Sequence, residues 1–569
     1  MSRSGRHPDR LLPGTRRRPY TSLLALALST CLGPQAWAQS AETGAASTPG
    51  TPNATTVLIA RVTVEGVGDH PASGISRAAV EAVANRTLRE IGPTLPAALD
   101  FEQIQQISAR ITQTYREAGF LVSVAYVPPQ DIGDSQTLTL TVLEGRVGRV
   151  LVQGSQRYRD DQLTASSLGL IGRPLRRAEL DRALLYARDL PGVSVTSILQ
   201  PGEHAGETDI VLVAQDSAHP YEVTAGLNNH GTDSTGKYRA ELGISAFNAL
   251  GAADVLSASV AYGLDPADSW QGALSLSIPS SAIDGLSLTA GVSRSEIELN
   301  NGPFSALEIH GPTTVGHVGL DWKFINRTDL LLQVSSRWIH QESRLDGLGM
   351  QLSSHAFDVL EAGLSMRHTD RRLRGINLVQ LSTRKSISDE SAPFDWLYPN
   401  HDSYYWVTRL SAARLQALPG NQRLYLRGTG QFTDNALTPM EQFSVGGPNS
   451  VRAFPLSAAL GDRGVQATFE YQVDAPGFAT LPSPFQGRNW GDVVSFQVFY
   501  DWGRTSPVAQ NRRLGLQPIT LEGAGLGLQL RLPQLQGLQF NLTASTPTGR
   551  TQPTDQDDMR VWAGISLTF

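Results

Sequence analysis

From Tyr221 to Phe569 the chain alternates apolar and polar residues with a period of two, run after run, with turn residues between. In LQFNLTAS at 538–545, Leu538, Phe540, Leu542 and Ala544 share one face, while Gln539, Asn541, Thr543 and Ser545 share the other. The terminal VWAGISLTF, LGLQLRL at 526–532 and VLSASVAY at 255–262 behave alike. About 16 such runs begin near residues 221, 238, 254, 270, 285, 313, 329, 357, 376, 403, 422, 465, 493, 524, 538 and 560. Each predicts a strand between two different environments. A soluble β-sandwich also alternates, but sixteen consecutive strands without a domain break point to closure. An even number of strands returns both ends of a barrel to the same side, and closure satisfies every backbone polar group inside lipid. Residues 218–569 are therefore expected to form a 16-stranded antiparallel transmembrane β-barrel, with an apolar outer face and a wet lumen of Ser, Thr, Gln, Asn and Arg. After the N-terminal leader no stretch reaches 18 apolar residues, so no helical span is expected.

Upstream the pattern changes. RVTVEG at 61–66 returns as RVLVQG at 149–154. The first copy is followed by a helical spacing of Phe101, Ile104, Ile107, Ile111 and Tyr115, a stop at Gly119, and two strands, 121–127 and 137–145. The second is followed by a helix at 177–188, a stop at Pro191-Gly192, and strands at 193–199 and 208–216. Each unit reads strand, helix, strand, strand, and together they predict a tandem pair of α+β domains at 58–146 and 147–217.

The N-terminus fixes the compartment. Arg3, Arg6, Arg10, Arg16, Arg17 and Arg18 precede an apolar run from Leu23 to Leu32, and Ala36-Trp37-Ala38 offers a cleavage site. This reads as a secretory signal peptide, 1–38, followed by a flexible linker, 39–57. Cys31 is the sole cysteine, so cleavage leaves none, which rules out disulfides and cysteine metal sites. Of 47 basic and 53 acidic residues, six and one lie in the leader; the mature balance of 41 against 52, or −11, offers no basic surface for nucleic acid. The tandem pair is thus expected in the periplasm and the barrel in the outer membrane, among its lipids.

Two segments carry the candidate chemistry. The longest gap between strands, about 432–464, falls after an odd-numbered strand and so lies at the cell surface. It holds Gly446-Gly447, Val451-Arg452-Ala453-Phe454 and Gly461-Asp462-Arg463-Gly464. A mere surface cover has no use for Val451 and Phe454, which predict a loop that folds inward and packs. FYDWG at 499–503 places Asp501 on the face opposite Val498, Tyr500 and Trp502, hence toward the lumen. Arg452 is its natural partner, because a bidentate arginine–carboxylate contact pins a loop in place.

The order of signal peptide, tandem repeats, sixteen strands, VRAF loop and FYDWG resembles the two-partner secretion transporters, the haemolysin secretion/activation family within the superfamily of POTRA-bearing barrels. The resemblance covers essentially the whole mature chain. It implies that the repeats are POTRA domains. It also implies that the sixth extracellular loop tucks its VRG[Y/F] tip, here Val451, Arg452, Ala453 and Phe454, into the lumen. That tip would meet an F-x-D-x-G motif on strand 13, here Phe499, Asp501 and Gly503. Phe569 resembles the terminal aromatic read by barrel-assembly machinery. The resemblance further implies export of an unfolded partner exoprotein, captured in the periplasm and threaded out without nucleotide hydrolysis. Ala453 departs from the family glycine and would be strained if the tip needs a positive φ. The segment 39–56 is poor in helix formers, so a pore-plugging helix is expected to be absent or reduced.

No enzyme site, cofactor or metal cluster is expected. GTDSTGKY at 231–238 approaches a phosphate loop, but Tyr238 stands where Ser or Thr is required and no helix follows. A passive porin would not need residues 58–216, and a barrel-insertion factor, the nearer alternative, usually carries more repeats.

Overall fold

The computed structural model describes residues 56–265, 269–299, 305–392, 401–485, 487–535, 537–551 and 558–569. The signal peptide expected at 1–38, and all but the last two residues of the linker at 39–57, lie outside them. So does the plug-helix expectation.

The sequence echo marks two copies of one topology. In the first repeat the parallel neighbours Arg61–Glu65 and Thr137–Leu143 are joined by an antiparallel edge strand, Val124–Tyr126. In the second, Arg146–Gln153, Glu207–Asp216 and Val193–Pro201 take the same places. The echoed glycines explain the echo. Gly66 and Gly154 have φ of 74° and 99°, and a Cβ would stand 2.3 Å from the Val142 carbonyl oxygen and 2.5 Å from that of Ala214. Only glycine ends this strand so close to its neighbour.

Helix Phe101–Glu117 buries Ile104, Ile107, Ile111 and Tyr115, as its period predicts, and opens on a capping box between Asp100 and Gln103. The strand–helix–strand–strand reading was one helix short in each repeat. Helix Arg77–Ile91 buries only Val80, Ala84 and Leu88, a stripe too thin to stand out, although Ser76 caps it through the Ala79 N–H. The second repeat's extra helix, Asp160–Thr164, is barely longer than one turn. Among the described residues no helix is long and apolar enough to cross a membrane.

Sixteen antiparallel strands, from Tyr221–Asn228 to Arg560–Thr568, close into a barrel. The closing seam is short. Gly564–Thr568 pairs with Thr224–Asn228 over five residue pairs, and Phe569 extends it by exchanging backbone hydrogen bonds of 2.9 and 2.7 Å with Val223. Strands six to nine, His310–Asn326, Leu330–Gly347, Met350–Asp370 and Gly375–Asp389, have 17, 18, 21 and 15 residues, well beyond the ~10 that cross a bilayer. Since the repeats precede strand one, odd strands run outward, and the tight hairpin at Gly347–Met350 projects from the cell.

The second repeat docks on the barrel's periplasmic turns. Arg159 and Gln162 both donate to the Gly251 carbonyl at 3.0 Å, and Ala253 of the same turn sits in the repeat's own core. Asn248 donates to the Arg157 carbonyl at 2.7 Å, and Lys323 pairs with Asp189 at 2.6 Å.

Candidate functional site

The surface loop between strand eleven (Gln422–Phe432) and strand twelve (Arg463–Asp474) descends into the lumen. It carries secondary structure of its own: Phe443–Val445 and Ala459–Gly461 pair as a hairpin whose tip is residues 446–458. Gly446 and Gly447 turn the chain with φ of 113° and 100°. Gly461 and Gly464 serve close packing instead, a Cβ at Gly464 falling 2.0 Å from the Phe443 ring. Val445, Val451, Ala453, Phe454, Ala459 and Leu521 form a buried cluster beneath the tip.

Strand thirteen (Val494–Ser506) turns Phe496, Val498 and Tyr500 outward and Phe499, Asp501, Gly503 and Thr505 toward this loop. Alternation assigns these faces, and the geometry follows from it. Arg452 donates through Nε and Nη2 to Asp501 at 2.8 and 2.9 Å, and its backbone N–H donates to the same carboxylate at 3.2 Å. Its Nη1 reaches Glu470 of strand twelve at 3.0 Å. Thr468 donates to Asp501 at 3.0 Å, and the guanidinium carbon stacks 3.2 Å from the centroid of the Phe499 ring. Trp562 of strand sixteen donates to the Arg452 carbonyl at 2.7 Å, so the tip touches the wall on both sides of strands fourteen and fifteen. Arg452, Asp501 and Glu470 are all buried. One cation thus faces two carboxylates, an arrangement whose removal from water is offset only by this complete set of bonds.

Ala453 lies outside the left-handed region, so the strain expected of it does not arise. Its methyl group instead faces Gly523 of strand fourteen (Ile519–Leu532), where a Cβ would approach it to 2.5 Å. Gly503 is likewise confined, a Cβ there meeting Val445 at 2.5 Å. Asp462 is buried and accepts from the Leu437 N–H at 2.9 Å, the Val508 N–H at 2.9 Å and Asn511 at 3.0 Å, which ties the loop's return to the next surface segment.

Sequence reasoning missed Glu470, Thr468, Trp562 and Gly523. Each is a lumen-facing residue of an ordinary alternating run, and nothing in its own strand sets it apart. The wet lumen also needs correction. Where the loop descends, Leu437 packs on Ile339, Phe357, Val359, Tyr405 and Val407 of the wall, a dry seat within a polar face. GTDSTGKY lies in the surface hairpin between strands one and two, where Tyr238 begins a strand.

Away from the barrel, Phe101, Ile104, Tyr126, Val127, Pro128 and Leu138 line a groove between a helix and the edge strand of the first repeat. Phe101 is 67% exposed and Tyr126 45%. Beneath the same repeat, Glu144 accepts from His70 at 3.0 Å, the Gly68 N–H at 2.8 Å and Tyr115 at 2.9 Å. Burial pushes its carboxyl up, but these bonds outweigh it and hold the pKa below the ordinary 4.5. Burial, then the hydrogen bond to Glu144, raises Tyr115.

Periplasmic repeats joined to a closed barrel whose lumen is occupied by its own surface loop define a POTRA-bearing outer-membrane barrel. Residues 206–530 match the haemolysin secretion/activation protein ShlB/FhaC/HecB family, and residues 70–145 match the ShlB-type POTRA domain. The chain belongs to this family of two-partner secretion transporters, with its barrel in the outer membrane and its POTRA domains in the periplasm. It is 23% identical over 511 residues to the hemolysin transporter protein ShlB of Serratia marcescens, covering 88% of this chain and 86% of that protein. It is 24% identical over 492 residues to the heme/hemopexin transporter protein HuxB of Haemophilus influenzae, covering 83% and 82%. Among solved structures, CdiB from Escherichia coli superposes with a TM-score of 0.65 at 19% identity, covering 92% of this chain and 93% of that one. BamA from Haemophilus ducreyi lacking POTRA domains 1–3 superposes at 0.53 with 15% identity, covering 90% and 100%, a likeness of fold alone.

Proposed function

We propose that this chain captures an unfolded partner exoprotein in the periplasm through its POTRA domains and exports it through the barrel without nucleotide hydrolysis. The observation that carries the reading is the seated loop. A passive pore would not need residues 58–216, and a surface loop fixed in the lumen by buried ion pairs gives a conduit for a single polypeptide its closed resting state. The Arg452–Asp501 pair is then the contact that holds the tip in that state. Capture uses the first repeat, where the groove between helix Phe101–Glu117 and the edge strand Val124–Tyr126, lined by Phe101, Ile104 and Tyr126 together with Gln105, Ser108 and Gln130, receives alternate side chains of an extended segment. The surface position of GTDSTGKY, out of reach of any nucleotide in the cell, favours export driven without hydrolysis.

The test begins with the neighbouring gene: where it encodes a large secreted protein with an N-terminal secretion domain, that protein is co-expressed with this chain and its release to the medium is measured. Release that depends on this chain supports the reading, and equal release in its absence sinks it. Phe101→Ala and Tyr126→Ala, both on exposed side chains, should change stability by no more than ~0.5 kcal/mol while weakening capture of the client's N-terminal segment. Undiminished binding by both variants would remove the groove from the mechanism.

A further inference from the structure

The loop is held at a second place, by charges of the opposite ownership. Glu441, on the descending arm before the hairpin, is fully buried. Its carboxylate lies 2.9 Å from Nη1 of Arg384 on strand nine and 2.9 Å from Nη2 of Arg409 on strand ten (Trp406–Ala417). Gln341 of strand seven donates to it at 2.8 Å and Tyr405 at 3.1 Å. Its backbone carbonyl accepts from Gln431 at 2.8 Å and from Arg409 at 3.1 Å. At the tip the loop supplies the cation and the wall the acids; on this arm the loop supplies the acid and the wall the cations.

The wall is prepared for that acid. Asp321, Arg337, Glu361 and Arg384 form a chain of alternating charge along strands six to nine, with contacts of 3.2, 3.2 and 3.5 Å. Glu441 continues the alternation between Arg384 and Arg409. When the arm leaves, Arg384 retains Glu361, while Arg409 loses the carboxylate that stood between it and Arg384. Both sites lie in the lumen, but on opposite arcs of the barrel: strands seven to ten here, strands twelve to sixteen at the tip.

We propose that Glu441 is a second latch of the loop, a positioning residue that keeps the arm on the wall of strands seven, nine and ten, so that the pore opens fully only when both Glu441 and Arg452 are released. The inference rests on the reading of the loop as the closure of an export pore. Removing one partner of a buried ion pair is strongly unfavourable for the state that buries the other, whereas an open lumen lets water reach the stranded arginines.

The experiment is conductance of the purified full-length chain in planar lipid bilayers, with heat-modifiable migration confirming a folded barrel. Glu441→Ala, and Arg384→Gln from the wall side, should each raise the fraction of time spent open by about tenfold or more. The double variant Glu441→Ala/Arg452→Ala should exceed either single one. Should Glu441→Ala fail to fold, Glu441→Gln, which keeps the shape and loses the charge, decides in its place. Wild-type conductance in the folded acid and wall variants overturns the proposal, as does a double variant that matches Arg452→Ala alone. Export measured in cells stands apart: lost dependence of the client on this chain would sink the proposed function while leaving the bilayer result intact.

Discussion

The POTRA repeats and the barrel both build on β-strands, yet they treat the edges of their sheets in opposite ways. The barrel abolishes its edges, pairing strand sixteen with strand one over five residue pairs and adding the Phe569–Val223 exchange. The repeats keep theirs: Val124–Tyr126 and Val193–Pro201 each pair with a strand on one side only, although Thr112 accepts from the Ala125 N–H and Arg188 donates to the Val195 carbonyl, and Val124, Tyr126, Ile198 and Leu199 are exposed beside them. An open edge is a hazard in most proteins because it recruits other chains. On the function proposed above, recruitment is the task of one region, and lipid forbids it in the other. The barrel's selectivity therefore has to come from inside, from how the loop is held.

The largest expected break in this comparison is deletion of residues 58–216. It should leave a heat-modifiable barrel in the outer membrane and abolish release of the client; unimpaired release would mean that the edges do no recruiting. Next comes Asp501→Ala, which removes three of the bonds of buried Arg452 and leaves Glu470 as its one remaining carboxylate, at a cost of up to about 3–5 kcal/mol to the seated loop. Bilayer conductance should rise and export fall, and wild-type values for both would detach the ion pair from function. A smaller effect is expected inside the lumen packing. Gly523→Ala should cost ~1–3 kcal/mol by overpacking against Ala453, and Ala453→Gly in the same chain should recover most of it. Thermal unfolding of the single and double variants checks the coupling, and strictly additive losses would refute it.

The smallest effect lies in the first repeat. Because the Glu144 carboxyl is held below its ordinary 4.5, its contribution is present in full above that value and is lost as pH falls through the lowered folded one. Hydrogen exchange of the full chain should show helix Phe101–Glu117 loosening over that acid range in the wild type and a flatter profile in Glu144→Gln. Matching profiles would show that the cluster is electrostatically silent.

Much of this architecture was legible because both of its periods are strong. Alternation places fourteen of the sixteen strand starts within three residues of those observed, while strands eight and fourteen begin at Met350 and Ile519, ahead of the expected 357 and 524; helical spacing places the helices at 101–117 and 177–188. Val451 and Phe454 stood out as apolar residues in a surface loop, Arg452 as the charge between them, and Asp501 as the carboxylate of FYDWG on the face opposite Val498, Tyr500 and Trp502. Glu441 and Glu470 broke none. A glutamate in a surface loop, or on a lumen-facing position, is ordinary in sequence, and its burial depends on which strands closure brings around it. Helix Arg77–Ile91 escaped for a related reason, since its buried stripe includes an alanine and is flanked by polar residues on both sides.

The pairing of Ala453 with Gly523 carries a lesson about what a signature of this kind encodes. The missing methyl group belongs to a volume shared by two distant segments, and either segment can surrender it. In this chain strand fourteen gives up the methyl group and the tip keeps it, so a pattern that demands glycine at the tip alone would miss the way this space is filled. Searches for such loops would reach further if they scored the tip and strand fourteen as one combined size.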